Sequence, residues 1–267
     1  MEPTGTGTPS RPGNYAEQAG TYDLTRGASP TIVRRLRESL GPSSDRALLD
    51  VAGGTGNYGA VLRDSGFGVT MVDASFEMLA RSVPKVGRGR QVVGDAAALP
   101  FADGAFDCAV CVIAIHLFAD RPRAFREARR VLRAGPFVVV AYTKENLGSL
   151  FVHAYFGGAW PGGEFTTSDV RSQLEAAGFG RVTIGTFVYE DVTGGSLVAM
   201  HTDATFLADP DRLRNTSFWH RFPDSVREEA LARLQADLAS GVLGRRVDES
   251  LRRAAEVGHG TVFTAFP

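Results

Sequence analysis

The 267-residue chain is 43% hydrophobic and 22% charged, and its 29 Lys and Arg against 30 Asp and Glu leave a formal net charge of -1. That is enough apolar material for a full core, in one domain with additions or in two small ones. The near-zero balance lacks the basic surplus of a protein that neutralises many phosphates, which excludes nucleic acid as the expected partner.

No stretch approaches the roughly 18 apolar residues that span a bilayer, and the N-terminus lacks the basic-then-apolar order of a signal peptide. A cytoplasmic protein with no membrane partner is expected. Residues 1–13, rich in Thr, Gly and Pro, are expected to be a disordered tail. Tyr15–Leu24 reads as a helix and Thr31–Leu40 as a second, stopped by Gly41-Pro42. Together, residues 14–45 form an expected N-terminal helical lid.

From Arg46 the pattern changes to short apolar runs alternating with amphipathic stretches, the signature of an α/β fold with a mostly parallel sheet. Strands are expected at 47–51, 68–73, 90–94, 106–112 and 136–142, with helices near 57–65, 75–82 and 122–133. The arginines of the last helix read as a solvated face. Cys108 and Cys111, spaced C-x-x-C, lie inside an apolar run and have no second pair to complete a tetrahedral site. They read as strand residues, and no metal is expected.

A helix at Ser168–Ala177 and a strand at Arg181–Glu190 follow. The final strand, Gly260–Phe266, lies about seventy residues further on, far beyond an ordinary connection. Residues 191–258, helical in spacing over Asp209–Val257, therefore read as a helical cap inserted before the last strand. The main domain comprises 46–190 and 259–267.

Chemistry enters with LLDVAGGTGN, residues 48–57, a strand ending in an acid that runs through glycines into a helix. Glycines allow a sharp turn and close ligand approach, and the helix N-terminus offers unpaired N–H groups. Gly54, Gly56 and Gly59 also satisfy G-x-G-x-x-G, so a dinucleotide site is the competing reading. Asp50 argues against it, since a carboxylate there repels a pyrophosphate and attracts a cation. Asp73 ends the next strand, placed to accept two ribose hydroxyls. Asp95 ends the third, placed to accept from an adenine amino group, with the N–H of Ala96 beside it.

These segments, LLDVAGGTGNYGAVL, VTMVDAS, VVGDAAALPFADGAFDCAV and HLFADRPRAFREARRVLRAG, resemble in sequence and order the class I methyltransferases that use S-adenosylmethionine. The AGGTG loop is similar to that of the ubiquinone/menaquinone-biosynthesis C-methyltransferases and related small-molecule enzymes. The resemblance covers residues 46–142. It implies a Rossmann-like sheet with an antiparallel last strand, and S-adenosylmethionine as cofactor. It also implies that Ala52, Gly53 and Gly54 line the methionine part, Asp73 the ribose, and Asp95 with Ala96 the adenine. Ala52 stands where many relatives have a glycine, a departure expected to matter little. The N-terminal YAEQAGTYDLTRG looks like a family helix that closes over the cofactor, which adds Tyr15, Tyr22 and Arg26. Ala74, Met78 and Ile113 complete the expected cofactor contacts.

His116, just past the fourth strand, is the candidate catalytic base; the alternative is a histidine that orders its loop. His153, Phe156 and Trp160 after the fifth strand, with Phe218 and Trp219 from the cap, are the expected substrate wall. The reading is methyl transfer to a small, largely apolar molecule of quinone, polyketide, terpenoid or indole type. A homo-oligomer is compatible with it. A non-methylating protein of the same fold and an NAD-dependent oxidoreductase are the alternatives.

Overall fold

The computed structural model describes residues 22–148, 150–157, 165–190, 197–216 and 218–267. Seven strands form one sheet: β1 Ala47–Val51, β2 Gly68–Asp73, β3 Gln91–Val93, β4 Cys108–Val112, β5 Phe137–Ala141, β6 Arg181–Phe187 and β7 Gly260–Phe266. Their order across the sheet is β3-β2-β1-β4-β5-β7-β6. The first five run parallel, and β7 lies antiparallel between β5 and β6.

The near-continuous apolar runs of β1, β4 and β5 are explained by burial on both faces, as expected of parallel strands covered by helices on each side. Leu49, Ala109, Cys111 and Val139 face Phe125, Ala128 and Val131 of helix Arg121–Val131 and Val170 and Leu174 of helix Thr167–Ala176. The alternate residues Leu48, Cys108, Val110, Val138 and Val140 face Ile32 and Leu36 of helix Pro30–Leu40, Leu62 of helix Asn57–Asp64 and Leu79 of helix Phe76–Val86. Both cysteines are fully buried. Burial pushes the Cys108 thiol up to about 11 and the Cys111 thiol higher still, so neither supplies a thiolate near neutral pH.

Several boundaries differ from the sequence reading for identifiable reasons. β4 starts at Cys108 rather than 106, because the Asp107 carboxylate takes the Ala47 N–H at 2.8 Å and so replaces a ladder partner. Phe106 forms only a bridge to Leu132, and that bridge ends the preceding helix at Val131. Helix Phe76–Val86 runs past Pro84, which falls in its last turn, and Gly87 closes it with an N–H to the Val83 carbonyl. Of the first expected helix, Tyr15–Leu24, only residues 22–24 fall within the described residues, where a helix runs Tyr22–Thr25.

Between β6 and β7 the described chain is helical, with helices Leu197–Met200, Ala204–Leu207, Pro210–Arg214, Asp224–Ala239 and Val242–Val257 around their own apolar cluster. The two long helices are separated at Gly241, whose φ of 73° suits glycine. Among the described residues no helix is long and apolar enough to cross a membrane.

The crossover into β5 leaves no room at Gly135, where an added Cβ would overlap the Asp107 carbonyl oxygen and crowd the Arg46 guanidinium. Gly135→Ala is expected to cost roughly 2–3 kcal/mol of stability, measured by urea unfolding, because backbone must move to admit the methyl group.

Candidate active site

The carboxyl ends of β1 to β5 open into a cavity of about 520 Å³. Its floor is the loop after β1. There Ala52, Gly54 and Gly56 all adopt positive φ, at 56°, 56° and 79°. A Cβ on Gly56 would lie 2.8 Å from Ser82 Cβ and 3.1 Å from Val86 Cγ2, so the loop can sit this low only with glycine there; a Cβ on Gly53 would meet the terminal methyl of Met71 at 2.7 Å and the Asp50 carboxyl at 2.9 Å. A Cβ on Gly54 would meet nothing within 4 Å. Ala52 carries a side chain in a conformation that costs an L-residue roughly 1–2 kcal/mol, so its departure from glycine has a structural consequence. Ile113, past β4, is a second such residue, at φ 52°. A β-branched side chain there is an outlier, and it too lines the cavity.

Asp73 fixes the loop. Its Oδ2 accepts the Gly54 N–H and its Oδ1 the Ser75 N–H, each at 2.9 Å. Burial raises its pKa, and these backbone donors oppose the shift without cancelling it. Asp95, past β3, is exposed at the rim and accepts the Ala97 N–H at 2.9 Å. Ala74, Met78 and Ala96 complete this side of the wall.

The N-terminal segment is pinned across the same loop. Asp23 accepts from Thr55 Oγ1 at 2.7 Å, Asn57 Nδ2 at 3.1 Å and Lys85 Nζ at 2.6 Å. Partial burial pushes the Asp23 carboxyl up, but these bonds and the Lys85 charge outweigh it and leave the pKa lowered. Arg26 stacks over Tyr22, 4.6 Å from the ring centroid, and donates to the Asn215 carbonyl of the cap at 3.1 Å. Tyr22 and Arg26 both line the cavity.

His116 lines it as well and is exposed, in the 3-10 turn Ile115–Leu117 beyond β4 whose Ile115 is buried. The apolar lining comes from several elements: Leu117, Phe118, Leu147, Leu197, Val198 and Phe218. Tyr58 and Tyr142 also line the cavity, and the sequence reading missed both. The available signal for Tyr142 was positional, since it immediately follows the last residue of β5.

Four expected site residues lie elsewhere. Asp50 shares the strand parity of Leu48 and points under the glycine loop, where Oδ2 is buried without a hydrogen-bond partner. Phe156 and Trp219 belong to the cap core, where Phe156 packs on Phe218, Trp219 and Phe222 at centroid distances of 4.9, 6.1 and 5.0 Å. In the turn Val152–Phe156, Tyr155 packs on Phe151 and bonds to Asp237 while Phe156 packs on the cap aromatics, and neither lines the cavity. His153, in the same turn, does not line the cavity. Tyr15 and Trp160 lie outside the described residues.

Residues 49–140 match a family model described as a methyltransferase domain. The chain is 36% identical over 141 residues to the ubiquinone/menaquinone biosynthesis C-methyltransferase of Paracoccus denitrificans, covering 48% of this chain and 56% of that protein. It is 32% identical over 127 residues to the malonyl-[acyl-carrier protein] O-methyltransferase of Pectobacterium atrosepticum, covering 48% and 50%. The chain thus spans about half the length of the curated relatives it matches. A solved structure from Anabaena variabilis, described as a methyltransferase from an antibiotic biosynthesis pathway, superposes with a TM-score of 0.78 at 22% identity. It covers 91% of this chain and 99% of that one, so the fold is shared over nearly the whole chain, cap included.

Burial, with the Asp73 charge adding to it, pushes the Asp50 carboxyl up to about 7. An acid whose folded pKa exceeds its unfolded value makes the folded state bind the extra proton. Stability is therefore unaffected below about pH 4 and declines as pH rises through the window to about 7. Asp50→Asn is expected to be more stable than the parent by about 2–4 kcal/mol at pH 8 and by much less at pH 5, measured by urea unfolding at both values. An equal difference at the two pH values would remove Asp50 as the buried acid.

Proposed function

We propose that this chain is an S-adenosylmethionine-dependent methyltransferase that acts on a small, largely apolar metabolite. The observation that carries the proposal is one cavity reached by three successive strand ends: the bare glycine backbone after β1, Asp73 after β2 and Asp95 after β3. That edge of an open α/β sheet is where ligands bind.

The fit to the cofactor rests on the loop. Gly54 presents backbone to the cavity with no side chain in the way, and Asp73 is held by two N–H donors with lone pairs left for a diol. Asp95 stands at the rim for an exocyclic amine, and Tyr22 and Arg26 close the near side. Asp50 lies beneath the loop and makes no direct contact with the cavity; burial and the Asp73 charge favour its neutral form, and a cation bound above the loop would favour its ionised one. When bound here, S-adenosylmethionine supplies an electrophilic methyl group on a sulfonium. The wall of Leu117, Phe118, Leu147, Leu197, Val198 and Phe218 receives an apolar acceptor and excludes water from it. His116, at the mouth, takes the proton that a hydroxyl, amine or activated carbon must lose. The insertion 191–258 acts as a substrate lid, since it supplies Leu197, Val198, Thr216 and Phe218 to the cavity.

Calorimetric titration should give saturable binding of S-adenosylmethionine and S-adenosylhomocysteine and none of NAD. Asp73→Ala should weaken cofactor binding at least tenfold, because it removes charge-assisted bonds to the diol worth about 1.5–3 kcal/mol each. The same change also frees the Gly54 and Ser75 N–H groups. Asp73→Asn, which keeps an acceptor, should therefore recover folding stability more fully than cofactor affinity. Unchanged affinity in a folded Asp73→Ala protein would dismiss the assignment.

His116→Gln should retain fold and cofactor affinity while slowing transfer of labelled methyl by about 10²–10⁴. The acid limb of the pH–rate profile should disappear with it. A variant that is slow at every pH with that limb intact would leave His116 only a positioning role.

A further inference from the structure

Asp50 is a carboxylic acid set in an apolar part of the sheet. It is the penultimate residue of β1, its register partners on β2 and β4 are Met71 and Val110, and it is only 2% exposed. A Cβ added to Gly53 would lie 2.9 Å from its Oδ2, and one added to Gly59 would lie 3.1 Å from it. Gly53 also lines the cavity, so backbone without a side chain separates this carboxyl from the cavity floor. Oδ2 has no hydrogen-bond partner among the described residues. A buried acid so placed lowers stability wherever it must ionise, so its presence needs a cause beyond packing.

The groups around Asp50 favour its neutral form. From β2, Asp73 opposes a second negative charge, and from β4 the Cys111 thiol is itself pushed up and stays neutral. Helix Asn57–Asp64 packs Gly59 against the carboxyl, while its Arg63 and Asp64 pair with each other. On helix Phe76–Val86, Glu77 and Arg81 are exposed and Lys85 is engaged by Asp23 and Asn57. Arg26, Asp95 and His116 line the cavity. Of all these, Asp73 is the charge that acts on Asp50, and no cation among the described residues offsets it. A positive charge settling over Gly53 and Gly54 would supply that cation, through a dry layer where salt screens little.

We propose that Asp50 is a specificity-determining residue that distinguishes the charged methyl donor from the uncharged product, by giving up a proton when the donor binds and regaining it after transfer. This rests on the methyltransferase reading and deepens it. Donor and product differ by one methyl group and one positive charge, and every other group they present to the cavity is the same. A neutral Asp50 is indifferent to that charge, whereas an ionised one favours it. The proton leaves Asp50 for solvent as the donor settles. Once the methyl group and its charge have gone, Asp50 takes a proton back from solvent, and the floor no longer favours what remains bound. By linkage, the preference for donor over product is greatest where Asp50 is ionised and declines as pH falls through neutrality.

The test titrates the full chain with S-adenosylmethionine and with S-adenosylhomocysteine by calorimetry from about pH 5.5 to about pH 8.5, in two buffers of different ionisation enthalpy. In the parent protein the ratio of donor to product affinity should rise at least about fivefold over this range, and near neutral pH the donor should release more protons than the product. D50N should bind the product about as tightly as the parent, lose most of that rise and most of the extra proton release, and converge with the parent ratio at the acid end. Any rise that D50N retains belongs to His116 and the other titratable groups of the cavity wall. A ratio that rises equally in both proteins, or equal proton release by the parent with the two ligands, overturns the proposal while the cofactor reading stands. Should D50N bind neither ligand, the parent's proton release decides alone. Failure of both ligands to bind the parent overturns the cofactor reading and this proposal with it.

Discussion

The Asp73 carboxylate holds the Gly54 N–H with one oxygen and the Ser75 N–H with the other, both at 2.9 Å, and so ties the turn after β1 to the turn after β2. Much else at the site depends on this clamp. It sets the height of the glycine loop, which lies so close to Ser82 and Val86 that glycine is required at 56. It also places one acid at the cavity wall while a second, Asp50, is sealed beneath the same loop. Two carboxylates in one partly dry region cannot both ionise cheaply, and the one without hydrogen bonds to Oδ2 yields.

The strain in the cavity wall follows the same geometry. Ala52 and Ile113 hold positive φ at the ends of neighbouring strands β1 and β4. Each sits where the chain must leave the sheet sharply to keep the cavity open. Ile113 is held there by its N–H to the Val140 carbonyl at 2.7 Å. Backbone strain of this kind persists only where the surroundings over-determine it, and here the surroundings are the buried parallel strands β1, β4 and β5.

The cavity is completed by distant segments. Arg26 bonds to the cap at Asn215, Asn57 bonds back to the Arg26 carbonyl, and Asp23 is bound by Thr55, Asn57 and Lys85. The N-terminal segment therefore bridges the glycine loop and the cap, which couples the cofactor side of the cavity to its apolar side. The cap core of Phe156, Trp219 and Phe222 supports Phe218, its aromatic contribution to the wall.

What the sequence determined by itself is the sheet and the acid-bearing strand ends. Strand runs, helix periods and the positions of Asp73, Asp95 and the glycines are local features, and residues just past a parallel strand must emerge at the carboxyl edge. The seventy-residue gap likewise required a folded insertion. The direction of each side chain and the company it keeps across the sheet were decided by tertiary structure. Strand parity turned Asp50 under the loop. Packing among neighbouring aromatics drew Phe156 and Trp219 into the cap core, although their composition reads equally well as a cavity wall. The pairing of Tyr142 with Tyr189 joins residues 47 apart in sequence. It exists only because β7, formed last in the chain, inserts between β5 and β6 and brings the ends of those two strands to the same edge of the sheet.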